Sequence, residues 1–266
     1  MKIRFLLAGL VVCASVTAQA AEPLTESTFT EIIKQANVVA AADKSVKAAK
    51  VSEVFQVPDL VRTGPDSRLE MTAPDQTVTR VGENSVFTFE PGERSIRMEK
   101  GSVLFHPPAG VGGGTIRYGG TAAAVLGTTI IGVVLPDHSF KLIVIEGEAT
   151  VTLGNGKSVQ LGAGQMLTVS PDGNSFGSVM DIHLKKLASN LVLLNGFSHP
   201  LSSMPLIEAA IQLQNEQIAA GREFHFASLQ TAGNGLELTF AKISAAFQQV
   251  LLNTPNHTTF YISPVQ

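Results

Sequence analysis

Two carboxylates in the chain have a spacing that could serve acid and base chemistry. Glu146 and Glu148 lie two residues apart, so in a strand both would project from one face, where like charges could raise one of the two pKa values. Gly147 separates them at a predicted strand end, and no nucleophile or histidine is near them in the sequence. We therefore interpret the pair as ordinary solvated surface.

Two glycine-rich stretches could bind a ligand. Gly156-Lys157-Ser158 imitates the end of a phosphate-binding loop, but that motif needs a glycine where Val151 stands and a helix after it. A hairpin turn is the better interpretation. The stretch from Gly110 to Gly114 follows two prolines and predicts a flexible surface loop, with ligand contact as the alternative.

The histidines are scattered singly, without the spacing of three to five residues that commonly joins metal ligands. They are His106, His138, His183, His199, His225 and His257. His106 is predicted to be a satisfied edge residue, and His225 should face away from Phe224 and Phe226 if that segment is extended. The sequence predicts no catalytic residue, no cofactor and no metal. The glycosylation-like triplet Asn256-His257-Thr258 is interpreted as incidental.

Residues 1–20 have the pattern of a cleavable signal peptide, with Lys2 and Arg4 before an apolar run and small residues at its end. We expect a periplasmic or secreted protein without a transmembrane anchor. Val12 argues against lipidation at Cys13, and cleavage after Ala20 would leave no thiol, hence no disulfide. A net charge of -3 with 15% charged residues makes nucleic acid an unsuitable partner.

Short β-rich runs broken by turn residues fill the chain from Phe29 to Val179. Alternating residues on both sides of Asn155-Gly156 predict a hairpin, with a third strand at 166–169. A second hairpin is predicted around Pro74-Asp75. Further strands are predicted at 85–89, 96–98 and 103–105, the last two separated by Lys100-Gly101. The fold class is all-β: an antiparallel sandwich, barrel or short solenoid of many short strands.

The residue pattern changes after Val179. A linker is predicted over 180–204 and a helical extension over 205–266. Apolar residues at helical spacing predict a helix over 206–218, opened by Pro205 and closed by Gly221. A strand fragment is predicted at 224–226, a second helix at 236–252, and a frayed end from Asn253.

An ordered series of motifs from Thr28 to Val169 resembles the FecR family of extracytoplasmic domains, so we assign a FecR-type β domain to 28–179. The matching segments are Ala49-Lys50-Val51-Ser52-Glu53-Val54, Pro58-Asp59-Leu60-Val61-Arg62-Thr63-Gly64, Ser67-Arg68-Leu69-Glu70, Pro74-Asp75-Gln76-Thr77, Thr79-Arg80-Val81-Gly82-Glu83-Asn84-Ser85, Lys100-Gly101-Ser102-Val103, Ala124-Val125-Leu126-Gly127-Thr128-Thr129, Val144-Ile145-Glu146-Gly147-Glu148-Ala149 and Gly162-Ala163-Gly164-Gln165. The chain departs from the family at Ser52, Pro58 and Gln76, where the family has glycine.

The resemblance implies a function as well as a fold. The best-known relatives join a sigma-factor-binding segment, a membrane helix and this periplasmic domain to regulate iron-uptake transcription. In this chain we expect the periplasmic domain alone. Direct anti-sigma action is therefore not expected. We predict a non-catalytic interaction or scaffolding module in envelope signalling, whose strand edges and loops contact an envelope or extracellular protein.

Two questions stay open at this stage. Binding of a carbohydrate or cell-wall polymer is the alternative function, although the chain has no tryptophan and only Tyr118 and Tyr261 for stacking on sugars. The helix over 206–218 could pack on its own β domain, which we favour, or on a partner.

Overall fold

The computed structural model describes residues 22–232 and 235–239, with side chains described for 22–227. Its elements are β1 (Glu26–Ile33), β2 (Ala36–Val39), β3 (Val46–Ala48), β4 (Val54–Gln56), β5 (Leu60–Thr63), β6 (Arg68–Thr72), β7 (Val78–Val81), β8 (Val86–Phe89), β9 (Ser95–His106), β10 (Gly114–Tyr118), β11 (Thr121–Val125), β12 (Thr129–Val134), β13 (Phe140–Glu146), β14 (Glu148–Thr152), β15 (Ser158–Gly162), β16 (Gln165–Val169), β17 (Met180–Asp181), α1 (Leu184–Asn190), α2 (Val192–Asn195), α3 (Met204–Ala219), β18 (Ser228–Ala232) and β19 (Gly235–Thr239).

The strands β1 to β17 form two sheets that share β9, and β18 and β19 pair with each other in a separate two-stranded sheet. The first sheet runs β4-β1-β6-β7-β9-β12-β13-β16-β17. The second runs β3-β2-β5-β8-β9-β10-β11-β14-β15. Every pair is antiparallel except β9 with β10. Within the described residues neither sheet closes into a barrel, because its two end strands do not pair with each other. The predicted all-β class is confirmed, and the architecture is an open sandwich.

The strand β9 corrects one prediction, because 96–98 and 103–105 belong to a single strand of 12 residues. Its first half pairs with β8 and β10, and its second half pairs with β7 and β12 in the other sheet. Gly101 lies at the crossing with φ of +83°, where an added Cβ would come within 2.4 Å of the Ser85 Cα. A glycine therefore continues the strand where we expected it to end.

Alternating side chains of both sheets form one core between the layers. Phe29, Phe55 and Phe89 pack edge to face in series, with ring centroids 6.3 and 5.8 Å apart. The predicted hairpins lie where expected: β6 pairs with β7, and β14 pairs with β15 around a turn in which Gly156 has φ of +83°. Both confirm that local turn chemistry set the strand pairing.

The outer face of the first sheet is also buried. In β13 every residue is buried, with Leu142 and Val144 in the core between the sheets, and Ile143 and Ile145 in a second core on the outer side. Residues 180–227, which we name the C-terminal cover, pack on that outer face. The predicted linker over 180–204 instead contains β17, α1 and α2, because their leucines bury the sheet's outward apolar residues.

The helix predicted over 206–218 is present as α3, and Ile207 and Gln214 are its buried residues. Leu206 and Leu213 belong to the same predicted stripe yet are each 55% exposed. In the structure α3 packs on the chain's own β domain, which is the alternative that we favoured.

The end of the described chain departs from the predicted second helix. Residues 236–239 lie in β19, paired with β18; the remainder of that prediction, the frayed end and the signal peptide lie outside the described residues. The predicted strand fragment is reduced to one parallel bridge between Phe226 and Asp181. In the part of the chain that is described, no helix combines the length and apolarity needed to cross a bilayer.

Candidate interaction site: the covered face and the N-terminal rim

Arg80 is the main polar anchor of the C-terminal cover. Its side chain is fully buried on the outer face of β7, beside Glu70 on β6, and its Nε donates to Glu70 Oε2 at 2.8 Å. The rest of the guanidinium donates to backbone carbonyls of the cover, namely those of Leu193, Leu194 and His199. Two of these carbonyls belong to α2, so a buried cation satisfies acceptors at the end of a helix.

Neighbouring strands add two further anchors. Arg68 Nε donates to the carbonyl of Gly196 at 2.6 Å. The Glu31 carboxylate accepts from the backbone N–H and the hydroxyl of Ser198, at 2.8 and 3.0 Å. The Phe197 ring lies 4.4 Å from the Arg80 guanidinium carbon and 5.9 Å from that of Arg68. Charged groups on β1, β6 and β7 thus hold the cover mainly by its backbone, and the Ser198 hydroxyl and the Phe197 ring add side-chain contacts.

A second polar junction lies under the start of α3. Thr129 Oγ1 lies 2.7 Å from Glu146 Oε1, 2.8 Å from Ser203 Oγ and 3.1 Å from His106 Nδ1. A hydroxyl has one proton, so Thr129 donates to one of these atoms and accepts from the others. All four side chains are buried, and Ser203, which immediately precedes α3, contributes the only one from the cover.

Burial dominates the electrostatics of this junction. It raises the pKa of Glu146, against the lowering effect of hydrogen bonds from Thr129. It lowers the pKa of His106, against the raising effect of a hydrogen bond to the Thr128 backbone. Each shift favours the neutral form, because the charged form loses hydration.

The surface interpretation of the glutamate pair is wrong for Glu146. Gly147 has φ of +79° between the two residues, so Glu146 lies in the buried junction while Glu148 is exposed. His106 is also not an edge residue, because it lies in β9 and pairs with Val78 of β7. Nothing local in the sequence shows that a helix far along the chain covers these positions.

The junction has hydroxyls, a histidine and a carboxylate, but not in the order that catalysis uses. In a hydrolytic triad the histidine lies between the nucleophile and the carboxylate. Here the Thr129 hydroxyl contacts both His106 and Glu146, whereas the His106 and Glu146 atoms are 3.8 Å apart. A substrate would have to displace α3 to reach them, so the geometry suits a structural junction.

The remaining sequence candidates lie apart from one another. Gly113 has φ of +75° and an added Cβ would be 2.1 Å from the Val125 carbonyl oxygen, so close packing explains that glycine. The Tyr118 ring packs on Phe140 with centroids 5.4 Å apart and is partly buried. His183 stacks on Phe226. In the described ranges no three His, Cys, Asp or Glu residues cluster as metal ligands.

Sequence reasoning did not single out the N-terminal rim, which we define as residues 42–56. It contains the two end strands β3 and β4, and Val46, Val51 and Val54 are 61%, 54% and 48% exposed there. Lys44, Lys47 and Lys50 are exposed on the same short segment. The sequence does show valines next to lysines in this segment, but these runs are too short to be predicted as strands.

The fold and these contacts define a class: an open all-β sandwich with one outer face covered by its own chain and one rim uncovered. Residues 59–150 match the family described as FecR protein. The chain therefore carries a FecR domain, as the resemblance indicated. The match spans β5 to most of β14 and stops short of the cover.

Two solved structures resemble the chain weakly. Both are described as a "putative anti-sigma factor" from Parabacteroides distasonis ATCC 8503, at 1.65 and 2.50 Å resolution. Each is 14% identical and covers 68% of this chain, with TM-scores of 0.41 and 0.40 and coverage of 99% and 98% of the other chain. We draw no functional conclusion from likeness at this level. The comparison with curated proteins gave no match.

Proposed function

We propose that the protein is a non-catalytic interaction or scaffolding module that works outside the cytoplasm, in the periplasm or after secretion, in envelope signalling. Two observations support the proposal. Residues 1–20 have the signal-peptide pattern, and residues 59–150 carry a FecR domain. The buried position of the His106 and Glu146 junction supports the non-catalytic part.

The uncovered rim is the observation that carries the proposal. The large apolar side chains exposed in the described chain are Val46, Val51, Val54, Leu126, Val192, Leu206 and Leu213. Three of these seven fall within the rim, on or between two strands that each end a sheet. Isolated exposed apolar residues are normal, but a group of them beside unpaired backbone is typical of a docking surface.

In-cell crosslinking tests the proposal. A photo-crosslinking amino acid is placed at position 46 of the full chain, and at position 157 as a control in an exposed turn outside the rim. We expect the protein in an envelope or extracellular fraction, with a discrete crosslinked protein partner from position 46 and none from position 157. Retention in the cytoplasm, or the same crosslinking pattern from both positions, would contradict the proposal.

A further inference from the structure

The backbone of β3 has hydrogen-bonding groups directed away from its sheet. β3 pairs on one side with β2, in the register Val39 with Val46 and Val38 with Lys47. Flanking hydrogen bonds run from Ala40 N to Ser45 O and from Ala49 N to Ala36 O. Bonded and non-bonded pairs alternate along an antiparallel ladder, so Lys47 bonds β2 while Val46 and Ala48 point their N–H and C=O outward.

Side-chain chemistry along this edge alternates as well. Val46 and Ala48 project from one face of the strand and Lys47 from the other. All three are exposed, and among the described strands only β2 pairs with β3, which leaves its outer edge open. The edge therefore presents two open backbone positions, an apolar face and a cationic face.

We propose that β3 binds an extended segment of a partner protein by strand addition, and that acidic and apolar residues alternate in this segment. Outward groups of Val46 and Ala48 supply the main-chain hydrogen bonds, as in other β-augmentation interfaces. An acidic side chain lies across from Lys47, and apolar side chains pack beside Val46. The inference rests on the proposed function and specifies the partner's chemistry.

Charge argues against a second copy of this chain as the occupant. Antiparallel pairing of two β3 strands centred on Lys47 would set that residue against its own copy, with Lys44 and Lys50 nearby. Like charges directly opposite across a strand pair are destabilising, and edge lysines are a common device against self-pairing. The same lysines attract an acidic strand, so they select between the two occupants.

Peptide binding to the purified full chain tests the inference. The probes are two fluorescent nine-residue peptides, one alternating glutamate with valine and one alternating lysine with valine, measured by fluorescence anisotropy. We expect the acidic peptide to bind at least tenfold more tightly than the basic one. Lys47→Glu should weaken the acidic peptide by about tenfold and improve the basic one, since opposite charges become like charges.

Proline supplies a test that is specific for strand addition. Val46→Pro removes an N–H that points away from β2, so it blocks a partner strand while leaving the native ladder intact, and edge strands tolerate such prolines. We expect about a tenfold or greater loss of acidic-peptide binding. Gln160→Pro is the matched control, because the Gln160 N–H points outward from β15 at the opposite end of the same sheet. It should leave binding unchanged.

Three results would overturn the inference: no acidic-peptide binding at about 1 mM, equal binding of both peptides, or equal loss from the two proline variants. Lys47→Glu changes an exposed side chain, so its result stands even if a proline variant unfolds. Crosslinking from position 46 that persists in the Lys47→Glu protein would leave the proposed function intact and refute only this mode of binding.

Discussion

Replacing Arg80 with methionine should release the C-terminal cover from the β domain. Methionine keeps an apolar stem of similar length but removes the guanidinium. The change leaves Glu70 without its ion pair and removes the donors to three backbone carbonyls of the cover. The carbonyls of Leu193 and Leu194 gain no water unless the cover moves, because their hydrogen bonds with Arg80 are buried.

The size of the effect follows from these contacts. Breaking a buried ion pair by removing one partner costs about 3–5 kcal/mol. Glu70 keeps a hydrogen bond from Thr30 at 2.7 Å, and its side chain is 13% exposed, which places the cost near the lower end. We expect a loss of about 3 kcal/mol in the free energy of unfolding, a large share of the 5–15 kcal/mol typical of a domain.

Urea unfolding followed by circular dichroism measures this loss, and hydrogen exchange locates it. Exchange should accelerate first in α2 and the segment that follows it. Arg62→Met is the matched control, since Arg62 is an exposed arginine on β5, and it should change stability by less than about 0.5 kcal/mol. A loss at Arg80 no greater than that at Arg62, or unchanged exchange in α2, would refute the role of Arg80 as an anchor.

Three further changes probe the other contacts, each by urea unfolding. Glu146→Gln should stabilise the protein at pH 7 and lose that advantage as the pH falls through the raised pKa of folded Glu146 toward 4.5, because burial raises this pKa and the folded state prefers the protonated form; lower stability of the variant at pH 7 would contradict this. Gly101→Ala should cost more than about 3 kcal/mol, whereas Gly92→Ala, also at positive φ but with nothing within 4 Å of an added Cβ, should cost about 1 kcal/mol; equal costs would show that the contact at Gly101 is relieved. Gln214→Met removes one hydrogen bond from the Leu184 N–H and one to the Ile182 carbonyl, so a loss of about 2–4 kcal/mol is expected; a neutral result would mean that α3 is held by apolar contacts alone.

Sequence reasoning succeeded where the determinant was local. Asn155-Gly156 and Pro74-Asp75 specify their turns by backbone preference, and both hairpins form in the predicted places. The departures from the family pattern are also local. Ser52 and Gln76, where the family has glycine, have φ of +70° and +68°, so these positions require the left-handed conformation that glycine adopts most easily.

Predictions failed where the determinant was a contact with a distant part of the chain. Gly101 resembles a turn glycine, yet it continues β9 between two sheets. Glu146 resembles a surface carboxylate, yet Ser203 and the start of α3 bury it. The linker prediction failed for the same reason, since a leucine-rich segment without a clear helical stripe gives no sign of the sheet beneath it. The N-terminal rim was not predicted, because strands of three residues are too short to show an alternation of apolar and polar residues.

The covered face indicates where the folding unit ends. Leu104, Ile131, Ile143 and Met166 are in register on four adjacent strands of the first sheet, and all four are buried by the cover. Without residues 180–227 this row would become a contiguous apolar patch, which soluble monomers rarely expose. Burial of each such side chain contributes about 1.5–3 kcal/mol. The family match covers β5 to most of β14, but burial of this row of side chains also needs the cover, so we infer that the stable unit extends beyond the family match to residue 227.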